Sequence, residues 1–347
     1  MKNLYLAFLL FVGGSMYAQD VHFSQWWAAP VAMNPAMTGN FPGLIRATFN
    51  YRTQWFLIPT LNQTTPYQTI EGSVDAALSS QRLENNKFGV GLMFYNDKAG
   101  DGGLSTNYAM VSAAYHQSVD RYGRSHLSFG LQGGVVEKQI NQQNLIFESQ
   151  LDGYGWNRNI PSGENFNSNP VIYPDVNAGA MFSSRPTDKF AYNFGAAVFH
   201  IAQPKENFLI GDPTDRLDRK FVAHGSMDIS AGQDNMWTIS PTFLFMEQGN
   251  AVQFNYGLGV NYQTYNDHLA VFGGGFTRMN SGGAFDAAII NLGVELYSTR
   301  IGVSYDINVS GLSGASESQG AVEVSVVYIF KRVRDQSINY PMYCPKF

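Results

Sequence analysis

The stretch Ile45-Arg46-Ala47-Thr48-Phe49-Asn50-Tyr51-Arg52 alternates residue by residue. Ile45, Ala47, Phe49 and Tyr51 fall on one side of an extended chain, and Arg46, Thr48, Asn50 and Arg52 on the other, because side chains along a strand point to opposite faces with period two. A helix would scatter both sets around its circumference. The run therefore reads as a strand with one apolar and one polar face.

The same scheme recurs along the chain. Ile70, Val74 and Leu78 oppose Thr69, Glu71, Ser73 and Asp75. Phe254, Tyr256, Leu258 and Val260 oppose Gln253, Asn255, Gly257 and Asn261, and Ile301, Val303, Tyr305, Ile307 and Val309 oppose Ser304, Asp306 and Asn308. About fourteen such runs centre near residues 49, 73, 92, 110, 131, 178, 196, 226, 241, 256, 273, 291, 304 and 325. Each is close to the ~10 residues that a tilted membrane strand requires. At roughly 23 residues per strand and connection, little is left for another domain.

The connections carry an independent signal. If the chain starts in the periplasm, the periplasmic turns are short: Asp120–Gly123, Ser184–Asp188, Gly232–Asn235 and Tyr265–Asp267. The external set holds the longest, Phe56–Pro66, Gln139–Ile172 and Gln203–Arg219. Short inside and long outside is the pattern of an outer-membrane barrel, and a sandwich has no reason to alternate its loops this way. The polar faces carry Ser, Thr, Asn, Gln and Gly rather than the Lys and Glu of a water-facing sheet. A polar interior behind a lipid-facing apolar wall explains this, and closure removes the exposed edges of so many strands. The expectation is an all-β, antiparallel, up-and-down transmembrane barrel.

Composition agrees. Charged residues make up 14% of the chain against a usual ~25%, and the net charge of -5 leaves no basic face for nucleic acid. Lys2, the apolar run Leu4–Val12 and the small residue in Ser15-Met16-Tyr17-Ala18 form a secretory leader, residues 1–18. The run is about half the ~20 residues of a spanning helix. The single cysteine, Cys344, rules out an internal disulfide.

Catalytic and metal chemistry find no constellation. His22, His116, His126, His200, His224 and His268 are scattered singly, no G-x-S-x-G elbow occurs, and no glycine-rich loop opens a helix. Asn96–Gly102 lacks the acidic ladder of a calcium loop and reads as a polar outside turn. Gly273-Gly274-Gly275 lies inside a strand, where a bend or the close approach of something within the barrel is expected. No catalytic residue, metal ligand or cofactor is expected. Arg46 and Arg52 should share the lumen with Glu71 and Asp75, with Asp228, Glu295, Asp306 and Glu323 further round. Paired buried charges and inward Phe, Met and Tyr favour a filled interior; a polar channel is the alternative.

Behind the leader, His22-Phe23-Ser24-Gln25-Trp26-Trp27 runs on through Pro30 and Asn34-Pro35-Ala36 to Gly39, with little strand or helix period. Together with Gln19-Asp20, Asn50-Tyr51-Arg52, Gln54-Trp55 and the closing Cys344-Pro345-Lys346-Phe347, this resembles both end signatures of the PorP/SprF family. These are outer-membrane proteins of the Bacteroidetes type IX secretion and gliding apparatus. Trp26 and Trp27 stand where other aromatics are common, a mild departure.

The resemblance implies a non-enzymatic outer-membrane protein that works with the type IX translocon, receives cargo with a type B C-terminal domain such as adhesins, and holds it at the surface. It also implies contacts with periplasmic secretion and gliding components. A solute channel is the competing reading, and a hydrolase lacks its clustered nucleophile and base. On this reading residues 19–41 are an N-terminal periplasmic segment, 42–330 the barrel and 331–347 a C-terminal periplasmic tail. His22, Phe23, Gln25, Trp26, Trp27, Asn34, Pro35, Trp55, Cys344, Pro345 and Phe347 are its candidates for partner contact or for plugging the periplasmic mouth. Asn34-Pro35 would be the turn into the first strand, and cargo would meet the outside loops, above all Gln139–Ile172.

Overall fold

The computed structural model describes residues 20, 22–55, 67–78, 85–100, 103–141, 145, 147–152, 155–157, 159–163, 170–206, 216–232, 235–265, 268–281, 283–311, 313–314, 316–330 and 347. The leader, the Phe56–Pro66 loop, Cys344 and Pro345 lie outside them.

Fourteen strands close an antiparallel barrel: β1 (Ile45–Gln54), β2 (Tyr67–Leu78), β3 (Lys87–Ala99), β4 (Leu104–Ser118), β5 (Ser125–Gln139), β8 (Val171–Thr187), β9 (Phe190–Phe199), β10 (Lys220–Ala231), β11 (Trp237–Gln248), β12 (Ala251–Gln263), β13 (Leu269–Asn280), β14 (Ala284–Leu296), β15 (Thr299–Asn308) and β16 (Gln319–Phe330). The remaining two, β6 (Leu151–Asp152) and β7 (Gly155–Trp156), form a short ladder of their own in the β5–β8 connection. Neighbours in the barrel are neighbours in the chain, and β1 pairs with β16 from Ile45↔Phe330 to Gln54↔Ala321. Every expected strand centre falls inside one of the fourteen.

The wall follows from the alternation. Along β14, Asn291 is fully buried and its neighbour Leu292 is 65% exposed. Ile290 on the same strand, and Phe94, Val111, Leu131 and Val303 on others, also stand out of the wall. Such a continuous apolar belt is far larger than a soluble monomer exposes, and a bilayer is the solvent that accepts it. Pro241, inside β11, sits where the ladder to β10 has a gap, so its missing N–H costs no bond.

Two turn assignments change. β8 runs to Thr187 through an irregularity after Ser184, so the turn is Asp188–Lys189 rather than Ser184–Asp188. Asn96, Asp97 and Lys98 belong to β3, paired with Asn107, Thr106 and Ser105, and the connection begins only at Gly100. Polar side chains at a barrel rim blur strand and loop. The loop asymmetry stands: the three longest connections, 55–66, 140–170 and 200–219, share one end. Below, this is the long-loop end, and the end where Ile45 and Phe330 meet is the short-turn end.

Candidate functional site

Residue 20 and residues 22–41 lie inside the barrel. The expectation placed this segment in or under the mouth where β1 begins; it runs the length of the lumen instead. Asp20 reaches His200 just after β9, Lys220 at the start of β10 and Gln248 at the end of β11, all at the long-loop end. From there the chain passes Glu323 and Asp306 at Ser24, Asn291 at Gln25, and His224 at Asn34. It leaves past Ser112 and His116 at Thr38 and past Asp75 at Gly39, on the short-turn side. The lumen is wide enough for a folded chain, and the aromatic residues gain more from burial there than at a wet mouth.

Three short helical turns compact the segment: Trp26–Ala28, Pro30–Met33 and Pro35–Met37. Pro30 and Pro35 each open a turn, where a missing N–H is harmless. Asn34 caps the third, accepting from the Ala36 N–H at 2.8 Å while its amide donates to His224 Nε2 at 3.0 Å. Asn34-Pro35 is thus a knot within the lumen, and the turn into β1 is made later, from Gly39 to Leu44.

Inward glycines let this backbone touch the wall. A Cβ on Gly89 would lie 2.0 Å from the Thr38 carbonyl oxygen, one on Gly130 2.3 Å from the Ala36 nitrogen, and one on Gly302 2.4 Å from Gln25 Oε1. No side chain fits in such space. Gly273–Gly275, expected to mark this approach, serve otherwise: a Cβ on Gly274 would meet the Leu258 carbonyl and the Phe276 ring, and nothing approaches Gly275. The glycine run makes room for a ring rather than for the segment.

The four lumen charges do not form one network: Arg46 pairs with Asp75, Arg52 pairs elsewhere, and Glu71 is held by hydrogen bonds. Arg46 forks onto Asp75 (Nε–Oδ1 2.9 Å, Nη2–Oδ2 2.8 Å) and donates to the Met37 carbonyl at 3.0 Å. Arg52 pairs with neither Glu71 nor Asp75. It donates to Ser24 Oγ at 2.6 Å and pairs with Asp306 at 3.1 Å and Glu323 at 3.3 Å, because β16 closes the barrel on β1 with Glu323 opposite Arg52, and Asp306 lies one strand further on β15. Glu323 also accepts the backbone N–H groups of Ser24 and Gln25 at 2.7 and 2.8 Å, and Arg278 adds a second cation to Asp306 at 3.0 Å. Glu71, fully buried, accepts from Asn50 at 2.8 Å, whose amide also donates to the Ala28 carbonyl. Asp228 faces inward and accepts from Ser240, while Glu295 is at the short-turn rim with Arg300.

Against β13 the contacts are aromatic. Trp26 and Trp27 pack on each other with centroids 4.9 Å apart, and both meet Phe276, at 5.6 and 4.8 Å. Phe347 joins them, 5.5 Å from Trp27. On the other side Phe23 meets Tyr95 edge-on and packs in one cluster with Tyr108, Tyr173 and Leu217. Glu206, which takes bonds from Lys138 and from the Tyr173 hydroxyl, and Leu217 hold the two described ends of the β9–β10 connection against this side of the barrel. A cavity of about 80 Å³ remains between segment and wall, lined mainly by Phe23, Met33, Met93, Met110, Leu244 and Met246.

At the leading end His200 lies between two carboxylates, Nε2 at 2.6 Å from Asp20 and Nδ1 at 2.8 Å from Asp175. Both ring nitrogens must donate, so the ring is an imidazolium. Burial opposes its charge, yet Asp20 and Asp175 raise its pKa to about 9. Burial likewise opposes charge on Asp20, but His200 and Lys220 hold that carboxyl far below the usual range. His22, half-buried beside the cavity, is pushed well below its ordinary value by burial and then by the charges of Arg278 and Arg52.

Trp55 stands apart from the other candidates: it follows the far end of β1, with positive φ, and packs edge-on against Tyr67. Sequence reasoning passed over Asp20, Ser24, Thr38 and His200 as site residues, although inward glycines on strands otherwise lined by larger residues hinted at a second chain inside.

Such a wall and filled lumen define an outer-membrane β-barrel with an internal plug drawn from its own chain. A model of the type IX secretion system membrane protein PorP/SprF matches residues 15–328. The chain belongs to the PorP/SprF family, and with it to the type IX secretion system. No curated protein matches in sequence. Among solved structures the chain is similar to a Pseudomonas aeruginosa FadL homologue (12% identity, 92% of this chain and 96% of that one, TM-score 0.46). It is also similar to the toluene transporter TodX of Pseudomonas putida (12%, 89% and 93%, 0.44), and to BamA from Haemophilus ducreyi lacking POTRA domains 1–3 (7%, 83% and 70%, 0.43). At these values the likeness is one of barrel architecture.

Proposed function

We propose that this protein is a non-enzymatic attachment barrel that receives type B C-terminal-domain cargo, such as an adhesin, at its long-loop end and keeps it at the cell surface. The observation that carries the reading is the filled lumen. Residue 20 and residues 22–41 occupy the space a solute would need, held to the wall by hydrogen bonds to the buried charges Arg46, Arg52, Asp75, Asp306 and Glu323 and by backbone contacts on glycine. A barrel so filled offers its ends for binding rather than its axis for transport.

The long-loop end supplies a suitable surface. In the β5–β8 connection Gln150 accepts from the Phe147 N–H and donates to the Ile160 carbonyl, which pins the loop. The β6–β7 ladder then presents Leu151 and Trp156, 52% and 57% exposed. Exposed aromatic and aliphatic anchors on a fixed support are what a protein partner buries. In this reading the long-loop end faces outside, and the short-turn end faces the periplasm and its translocon and gliding components.

Removing residues 140–170 should abolish retention of the cargo domain at the surface while the barrel stays in the membrane. Retention at the natural level would overturn the assignment. Planar-bilayer recordings of the natural protein should be silent; a stable open conductance would favour the channel reading.

A further inference from the structure

The place occupied by Phe347 is built for a phenyl ring. Phe347 is 1% exposed, and rings, a guanidinium and a glycine from four separate parts of the chain surround it. Trp27 of the lumen segment stands 5.5 Å away at 61°, Phe272 of β13 at 5.6 Å and 75°, and Phe276 of the same strand at 6.4 Å and 32°. The Arg300 guanidinium of β15 lies 4.9 Å from the Phe347 centroid and 3.5 Å from that of Phe272. The floor is Gly259 of β12, where a Cβ would lie 2.5 Å from the ring carbon Cγ. Any other residue at that inward position would take the ring's space.

A further cavity, of about 140 Å³, adjoins this socket and shares Trp27 and Arg300 with it. Its other lining includes Pro42, Arg46, Glu295 and Ser298, which sit at the short-turn ends of their strands or in the turn itself. The approach to the socket is therefore from the short-turn end. Phe330 ends the last strand of the wall, and Phe347 seats its ring in this socket.

A side chain held in a pocket of rings, with space behind it, is the way an anchor residue of a peptide is held by a receptor. We propose that the Trp27–Gly259–Phe272–Phe276–Arg300 pocket is a peptide-binding site for a phenylalanine side chain. The chain's own Phe347 occupies it reversibly, and a phenylalanine-bearing peptide entering from the short-turn end takes its place when Phe347 is out. Because Phe347 is tethered, its effective concentration is in the millimolar range, so an outside peptide competes poorly with it. Through Trp27 the socket also links the end of the chain to the lumen segment. The proposal stands independently of cargo attachment, since the two lie at opposite ends of the barrel.

The test uses the full-length Phe347→Ala chain in detergent and a fluorescein-labelled peptide of residues 341–347 with serine in place of Cys344. Anisotropy should report saturable binding to the variant, at least ~10-fold weaker binding to the natural chain, and none when the peptide ends in alanine. Adding Gly259→Val to the variant should remove binding. A folded Phe347→Ala barrel that fails to bind, or binds both peptides alike, overturns the proposal. Should that variant not fold, a protease site placed between Gln336 and Tyr340 in the otherwise natural chain gives the answer. After cleavage the fragment carrying Phe347 should stay with the barrel and be displaced by excess peptide; its immediate loss, or retention that no peptide reverses, overturns the idea.

Discussion

The two sides of the lumen segment are held by different physics. Toward β1, β2, β15 and β16 it meets charge: Ser24 on Glu323, Asp306 and Arg52, Gln25 on Glu323, Gly39 on Asp75, and the Met37 carbonyl on Arg46. Toward β3, β5 and β13 it meets glycine backbone and rings. Desolvation cancels much of the attraction in a buried ion pair, so the charged side contributes position more than energy. Rings carry the opposite balance, with a large gain from burial and a tolerant geometry. The charged side fixes where the segment sits, and the aromatic side makes it stay.

That division can be broken in four ways. Replacing Trp26 and Trp27 together with alanine should have the largest effect, since each large-to-small aromatic change costs about 3–5 kcal/mol. The unfolding midpoint in detergent should fall well below that of the natural protein. A barrel of unchanged stability that loses a partner would make the pair a docking site instead of a filling.

Arg46→Met should follow, at about 3–5 kcal/mol, because it strands Asp75 in the lumen. Combined with Asp75→Leu the loss should largely disappear. If the double variant is as weak as the single one, the pair supplies energy and not merely position.

Gly130→Val should cost about 1–3 kcal/mol by overpacking, and the displaced Pro35-Ala36 backbone should let transient conductance appear in bilayer recordings. Silent bilayers and natural stability would show that the wall yields.

The smallest effect concerns His200. Its pKa near 9 in the folded chain stands above the ordinary 6.5, so its contribution is complete below about pH 6.5 and lost as pH rises through 9. Asp20 is shifted the other way, so its contribution is present above the ordinary carboxylate range and lost only in strong acid. From pH 7 to 10 the leading end of the segment should become more open to protease near His22, with the barrel's unfolding midpoint little changed. His200→Asn should remove the pH dependence; equal cleavage at both pH values in the natural chain would sink the latch.

Much of this architecture is legible in particular residues. Ile45–Arg52 and its counterparts give strand positions to within a few residues, because a two-sided wall between lipid and a polar interior imposes a strict period. The inward set, Arg46, Arg52, Glu71 and Asp75, follows from the same period. Their pairing does not: Arg52 answers to Glu323, at the other end of the sequence, because the barrel closes there. The segment's place was also beyond the pattern, since residues 20–41 carry neither period. Only the space left by Gly89, Gly130 and Gly302 tells where that backbone lies.

The sequence by itself determined an exported, closed, antiparallel barrel with an apolar outer wall, because alternation and loop length are local properties that survive without coordinates. Its two ends also determined the family. The tertiary structure alone decided that the N-terminal segment threads the lumen to the long-loop end, that Arg52 bridges it to Asp306 and Glu323, and that Phe347 returns to a socket beside Trp27. Those are contacts between parts of the chain far apart in sequence, set by closure and by the volume inside, and no window of residues contains that volume.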